Sequence, residues 1–417
     1  MKKTIFASFL VPLLLLAAPS QPRVFSPVPV AANTMINLET AQCGEGCLAR
    51  LLNEERFFSF LARYQAGTKT PHLNEAYQRY AGFFNLGAPQ SSGIRMAVVI
   101  PSEVIGRYSV MVANSVSAYL LHKGEPFELK VFDSLDESPE NLRATFAQVE
   151  AAGFRRVIAA LTAEGAATLS KLPVNVEVFI PTVNRFELAE AAGANLFFGG
   201  IDYGAQLEAL SKYQSGSRTI TFEEPIPLSQ KISAQADATC PEPPSRVSIN
   251  NPRINFSTLF KTEGVEHNTT LLLNTQPVRT SLILSQITYN DLNISAALST
   301  QINFNPLILT LTQTEDVEKF YVASAIGGGD KNLREINALM QNDIRFNWIP
   351  YATTVLADLI IQRQTGNFTS TSENFGLKLL DNQVQYPVYI YQIRNNRFTP
   401  APPPLEIKPQ MHPERTL

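Results

Sequence analysis

Histidine, cysteine and tryptophan are scarce in this chain, at four, three and one residues of 417. His72, His122, His267 and His412 stand far apart, so none has the spacing of a metal pair or of a nucleophile's base. No Gly-x-Ser-x-Gly elbow is present. The adjacent acids Asp136-Glu137 and Glu223-Glu224 have the look of solvated charge on surface loops. Catalysis is therefore not expected, and neither is a metal or cofactor. A dense basic run is also missing, with 34 Lys+Arg against 37 Asp+Glu and a formal net charge of -3, which argues against nucleic acid as a partner. The loop Gly327-Gly328-Gly329-Asp330 lacks the spaced glycines and the Lys-Ser/Thr pair of a nucleotide loop. Past the amino terminus no run is long and apolar enough to span a bilayer, so no transmembrane segment is expected in the mature chain.

What is present begins with Lys2 and Lys3 ahead of an apolar run over residues 5–18, the build of a signal peptide covering 1–20. Ala18-Pro19-Ser20 offers a cut after Ser20, Val30-Ala31-Ala32 offers a second site, and the alternative is an uncleaved anchor. No cysteine ends the run, so lipid attachment has no acceptor, and the expected location is the periplasm. In that oxidising compartment Cys43 and Cys47 are expected to pair, leaving Cys240 as a thiol. A metal reading of the pair lacks further ligands, and the other alternative is a Cys47 to Cys240 link.

The next 35–90 read as a helical hairpin, with one helix through LARLLNEERFFSFLARYQ and a second over 73–84. The organising stretch follows at 94–133, where the apolar run MAVVI ends at Pro101, helical spacing carries Ile105, Tyr108, Val112, Val116 and Leu120, and alternation resumes at FELKVFD. Strand, crossover helix and strand of this length make a parallel, right-handed unit. The alternation continues through RVIAA at 156–160, residues 174–180, 195–199 and 218–222, which together read as one doubly wound lobe. Residues 237–252, rich in proline, read as a linker. A second lobe follows, with strands expected at 271–273, 307–311 and 320–325, helices at 278–289, 332–340 and 348–362, and a closing pair of strands at 375–380 and 388–393. The fold class is thus α/β with two doubly wound lobes. From 400 to 417 the chain reads as a disordered proline-rich tail.

Two such lobes behind a signal peptide, with AVVIPSEVIGRYSVMVANSVSAYL, RVIAALT and FGLKLLDNQVQYPVYIYQIRNNRFTP, resemble the type I periplasmic-binding-protein fold of leucine-binding-like receptors over 94–399. The added helices resemble those of the lipoprotein activators of penicillin-binding proteins, although this chain has no lipid-acceptor cysteine and a single hairpin. In amino-acid receptors of the family, hydroxyls and backbone amides of first-lobe loops hold the ligand carboxylate, and an acidic or aromatic residue faces it from the second lobe. The resemblance thereby implies Ser102, Tyr108, Thr162 and Thr182 as first-lobe ligand-binding positions, and the loop 276–280 with Arg279 as the second-lobe position. Each has an ordinary alternative as a turn former, helix cap or solvated charge. No acidic partner for a ligand amine stands out.

Two functions follow from different classes. In one, the cleft takes a small polar ligand for uptake or sensing; in the other, the cleft is vestigial and the chain is an envelope scaffold or regulator of cell-wall synthesis that binds a protein partner. Separately, Glu266-His267-Asn268-Thr269-Thr270 and Asp291-Leu292-Asn293-Ile294-Ser295 place an acid two residues ahead of an Asn-x-Ser/Thr sequon, a pattern similar to bacterial glycan acceptors. Asn268 and Asn293 are the candidate glycosylation sites; Asn255 and Asn367 lie in sequons without the acid.

Overall fold

A computed structural model describes residues 35, 37, 41–65, 68–84, 86, 94–125, 127–188, 193–215, 218–239, 244–251, 253–364, 372 and 374–404. The signal peptide and its cleavage sites, Cys240, Asn367 and the tail from 405 lie outside those residues.

The chain enters through α1 (Glu45–Asn53), α2 (Phe57–Arg63) and α3 (Pro71–Phe83). The expected hairpin is therefore a three-helix unit. Its first helix breaks because Asn53, Glu54 and Glu55 offer no apolar side chain to bury, and Glu55 turns the backbone at φ 57°. Leu48, Leu51, Phe60, Leu61 and Leu73 form its own small core, and Tyr64 stacks on Tyr77 with centroids 3.9 Å apart. Cys43 and Cys47 are joined by a disulfide at the start of α1. A bridge from Asn37 to Lys130 lays the segment before this unit against the neighbouring sheet.

The first lobe then alternates: β1 (Ile94–Ile100), α4 (Ser102–Ile105), α5 (Tyr108–Lys123), β2 (Phe127–Asp133), α6 (Pro139–Ala151), β3 (Arg156–Ala159), α7 (Ala163–Ser170), β4 (Glu177–Ile180) and β5 (Leu196–Phe198). Local chemistry sets the helix starts. Ser138 caps α6 ahead of Pro139, and Thr162 caps α7. Met96, Val98 and Val99 are fully buried because helices cover both faces of the parallel strands.

The chain crosses to the second lobe at 199–202. There Gly200 lies so close to the 183–184 backbone that a Cβ would sit 2.1 Å from the Val183 carbonyl carbon, so only glycine fits. The second lobe holds α8 (Tyr203–Ser211), β6 (Arg218–Glu223), α9 (Pro227–Thr239), β7 (Ser245–Ser248), α10 (Phe256–Glu263), β8 (Thr269–Asn274), α11 (Pro277–Tyr289), β9 (Ala296–Ser299), α12 (Pro306–Leu311) and β10 (Phe320–Ser324). The chain returns to the first lobe for α13 (Lys331–Leu339), α14 (Trp348–Gln364), β11 (Lys378–Leu380) and β12 (Gln383–Gln385), then crosses again for β13 (Tyr389–Arg394) and β14 (Arg397–Pro400). The two seven-stranded sheets run β11-β12-β5-β4-β3-β1-β2 and β14-β13-β10-β9-β8-β6-β7.

Several sequence expectations are corrected by this topology. The strand at 218–222 belongs to the second lobe, where Ile220 and Phe222 bury with Leu271 and Leu273, so the lobe boundary precedes it. Residues 237–252 are then no linker, because Val247 and its neighbours pair with β6 as an edge strand. Residues 307–311 form a helix: Asn305 accepts from the Leu307 N–H, Pro306 starts the turn, and Leu307 and Leu311 are both nearly half exposed while Ile308 is buried. The sequence pattern does not announce β7, β9, β12 or β14. The closing strands pair not with each other but as two hairpins, one per lobe. Asn395 and Asn396, both at positive φ, make the tight turn of the second. Residues just past 400 are held, with the Ala401 N–H donating to Ile390 at 2.8 Å and the Tyr213 hydroxyl donating to Pro402 at 3.0 Å.

Aromatic side chains fill the joint behind the cleft. Phe346, between α13 and α14, sits 5.2 Å from Phe304 and 5.9 Å from Phe398, both of the second lobe. Trp348 meets Tyr386 at 4.8 Å edge-on, and the Tyr351 hydroxyl accepts the Gly327 N–H at 3.2 Å. Burial pushes the Tyr351 phenol up to about 12, so it stays a protonated partner at the crossover. One hydrophobic core consequently runs from Val98 and Ile158 through Leu356 and Ile360 to Ile220, Leu271 and Phe320. The lobes share packed interior behind the cleft, beyond the connecting strands alone.

Candidate functional site

The carboxyl ends of the parallel strands in both sheets face the cleft, so the loops after β1, β2, β3 and β4 oppose those after β6 and β8. Ser102 and Thr162 lie on these first-lobe loops, and each is already engaged by a carboxylate. The Ser102 amide and hydroxyl donate to Asp133 at 3.2 and 2.7 Å. The Thr162 amide donates to Glu137 at 2.6 Å and its hydroxyl donates to the other oxygen of the same carboxylate. Thr182 turns its hydroxyl onto the Leu161 carbonyl. Tyr108 is well exposed at the start of α5, with the Arg107 guanidinium 5.5 Å from its ring centroid. Arg279 lies on α11 with Nε 3.7 Å from Glu224.

Glu137 and Glu224 are the residues that reading the sequence missed. Each is the second of two adjacent acids and was taken for solvated charge, yet each is seated on the amino-terminal turn of a helix. Glu137 sits over α7 so closely that a Cβ on Gly165 would lie 2.3 Å from its carboxylate carbon. Glu224 accepts the Gln276 N–H, at the start of α11, at 2.6 Å. Unsatisfied amides and the helix dipole make such a turn attractive to anions. In this chain an internal carboxylate takes that place in both lobes. No local pattern marks this pairing, since Glu137 lies 25 residues before Thr162 and Glu224 lies 52 residues before Gln276.

Beneath Arg279 the second lobe is closed by a buried polar network. The Asn303 side-chain nitrogen, with two hydrogens to donate, lies 3.0 Å from the Thr275 carbonyl and 2.9 and 2.8 Å from the Thr280 and Ser299 hydroxyls, and all four residues are fully buried. Breaking the bonds on the Asn303 nitrogen would strand the donor, the Asn303 side-chain oxygen being already without a hydrogen-bond partner, so the cluster is expensive to disturb. Thr280 is therefore part of the wall.

Across the cleft, Lys231 of α9 meets Glu187 of the first lobe at 2.6 Å, both partly buried. Tyr203 lies near Glu187, and burial, followed by that carboxylate, raises its phenol far above the ordinary range. A cavity of about 310 Å³ spans this point, lined by Ala163, Phe186 and Glu187 on one side and Tyr203, Lys231 and Gln235 on the other. A second cavity of about 590 Å³, lined by Val104, Glu137, Thr162 and Glu164, adjoins it through Ala163. Among the described residues no group of three or more His, Cys, Asp or Glu is placed to hold a metal, and no helix is long and apolar enough to cross a membrane.

The acid-led sequons lie at the opposite pole of the second lobe. Asn268, at φ 67°, and Asn293 are both exposed, and the Asn268 amide donates to the Asn293 carbonyl at 3.2 Å. Their sequon hydroxyls, on Thr270 and Ser295, hydrogen-bond each other at 2.9 Å, and Thr270 is fully buried.

No protein-family profile and no curated protein matches this sequence. Solved structures do. Full-length Haemophilus influenzae LpoA matches with TM-score 0.52 at 12% identity over 79% of this chain, which covers 65% of that longer one. The LpoA C-domain from the same organism, a regulator of PBP1A, matches with TM-score 0.51 at 13% identity over 74% of this chain and 99% of its own. A Thermotoga maritima leucine-binding protein gives TM-score 0.51 at 14% identity, covering 74% of this chain and 98% of that one. The chain has the type I periplasmic-binding-protein fold. That fold is shared by ligand-binding transport proteins and by regulators.

Proposed function

We propose that this chain is an exported, non-enzymatic binding protein of the cell envelope whose partner is another protein, and that its cleft does not serve as an amino-acid receptor. The observation that carries this reading is the seating of Glu137 on the Thr162 amide and hydroxyl, matched by Glu224 on the Gln276 amide. A ligand carboxylate would have to evict a charge-assisted internal pair, and would leave the evicted carboxylate in a cleft that already holds other acids. The signal-like amino terminus and the Cys43–Cys47 disulfide support export. The test is a thermal-shift screen against amino acids, dipeptides, sugars and cell-wall fragments. A receptor would gain about 2.7 kcal/mol at ligand a hundredfold above its dissociation constant. The expected result is no shift for any free amino acid.

The alternative, a receptor for a small polar ligand, is favoured by one feature: the cavity of about 310 Å³ between Glu187 and Lys231 has the size of a small-molecule site. The same screen separates the two, because a saturable shift that is lost in Lys231→Ala would establish the receptor.

A further inference from the structure

The two adjoining cavities form one groove along the carboxyl ends of the first-lobe strands, and its lining is unbalanced in charge. Glu137, Glu164, Glu187 and Asp202 stand against a single lysine, Lys231. The groove also carries apolar surface of the kind that partners cover. Phe186 is 78% exposed and Val104 46% exposed. We propose that this groove binds an extended segment of a partner protein in which lysine or arginine alternates with bulky apolar side chains. The proposal rests on the protein-binding reading above and names the site and the chemistry of the occupant.

Charge complementarity selects that occupant. An incoming ammonium or guanidinium replaces Lys231 at Glu187 one cation for another, so the partly buried carboxylate is never left bare. An incoming anion gains Lys231 only by stranding Glu187 beside Asp202 and the partly buried Tyr203. The exposed Glu164 supplies a second cation contact at the far side of Ala163. Phe186 provides a flat, rigid face for an apolar or guanidinium side chain.

Fluorescence anisotropy tests this with three labelled peptides: one alternating lysine with leucine and phenylalanine, its glutamate-for-lysine counterpart, and a lysine-serine peptide. Only the first should bind. Its affinity should fall roughly tenfold or more in Glu164→Lys and again in Phe186→Ser, as expected for a lost ion contact and a lost aromatic contact. Both side chains are exposed, so thermal melts should show both variants folded. Absence of binding, or binding that Phe186→Ser leaves unchanged, overturns the proposal; the second result would mean general electrostatic attraction. If the amino-acid screen stays silent in that case, the protein-binding reading stands alone. A free amino acid that shifts the melting temperature of wild type but not of Lys231→Ala would overturn both.

Discussion

Two substitutions test the seat of Glu137, and both should destabilise the fold. Gly165→Ala places a methyl 2.3 Å from the Glu137 carboxylate carbon, so the carboxylate must leave its seat. The lost bonds cost about 1.5–3 kcal/mol, whereas alanine in a helix returns only about 1 kcal/mol. A net loss of about 1 kcal/mol is expected by urea denaturation, and Glu137→Ala should lose more than Gly165→Ala. Asp358, on α14, is fully buried. It accepts from the Tyr119 hydroxyl and from the Asn374 amide at 3.0 Å, and burial raises its carboxyl even though these bonds lower it. Its contribution to folding is complete below the ordinary carboxyl value and is lost as pH rises through the raised one. Tyr119→Phe should therefore cost about 1.5–3 kcal/mol near neutrality, and less in acid, by denaturation at two pH values. Neither role was legible in the sequence, since adjacent acids and a lone Asp in an apolar helix look alike whether solvated or seated.

Among the elements, the helical unit is tied at one charged point. Glu45, in the first turn of α1, accepts from the Lys69 amide and the Thr70 hydroxyl, both at 2.6 Å. The Thr70 bond, then the Lys69 amide, hold its carboxyl below the ordinary value of 4.5, so this tie is present above that value and is lost as pH falls through the depressed one. Protection of the α1 and α3 amides, corrected for intrinsic exchange, should hold in wild type until the pH falls below the ordinary carboxyl value and should be low at every pH in Glu45→Gln. The sequons make a second prediction. Thr270 and Ser295 bond each other where β8 meets β9, so a glycan on Asn268 or Asn293 must be attached before these strands pair. Intact mass of protein from its native host should exceed the processed polypeptide, and Asn268→Gln with Asn293→Gln should remove the excess; the folded chain should be a poor acceptor in vitro. The elements themselves were legible where parallel strands are buried on both faces, as in MAVVI and TLLL. They were misread where composition misleads. LILTL reads as strand until Asn305 and Pro306 are recognised as a helix start, and ISAALS carries too little β-branched bulk to announce β9. Which lobe β6 joins depends on pairing with β8, a non-local fact no window of sequence contains.

The whole molecule is two lobes with a shared aromatic interior behind a cleft that carries its own carboxylates. The chain's one tryptophan, Trp348, sits in that joint 5.8 Å from Tyr351 and 4.8 Å from Tyr386, so its emission reports directly on movement there. Phe304→Ala removes a ring shared by Phe346, Tyr391 and Phe398 and should cost about 3–5 kcal/mol, with a red shift of Trp348 emission if the joint loosens. The most direct test of the central claim is the distance between the lobes, measured by double electron–electron resonance on spin labels at Glu164→Cys and Gln230→Cys in a Cys240→Ser background. One distance distribution is expected, which a mixture of all amino acids leaves unmoved. A shift to a shorter distance on adding any amino acid would show a cleft that closes on ligand, and would contradict the central claim.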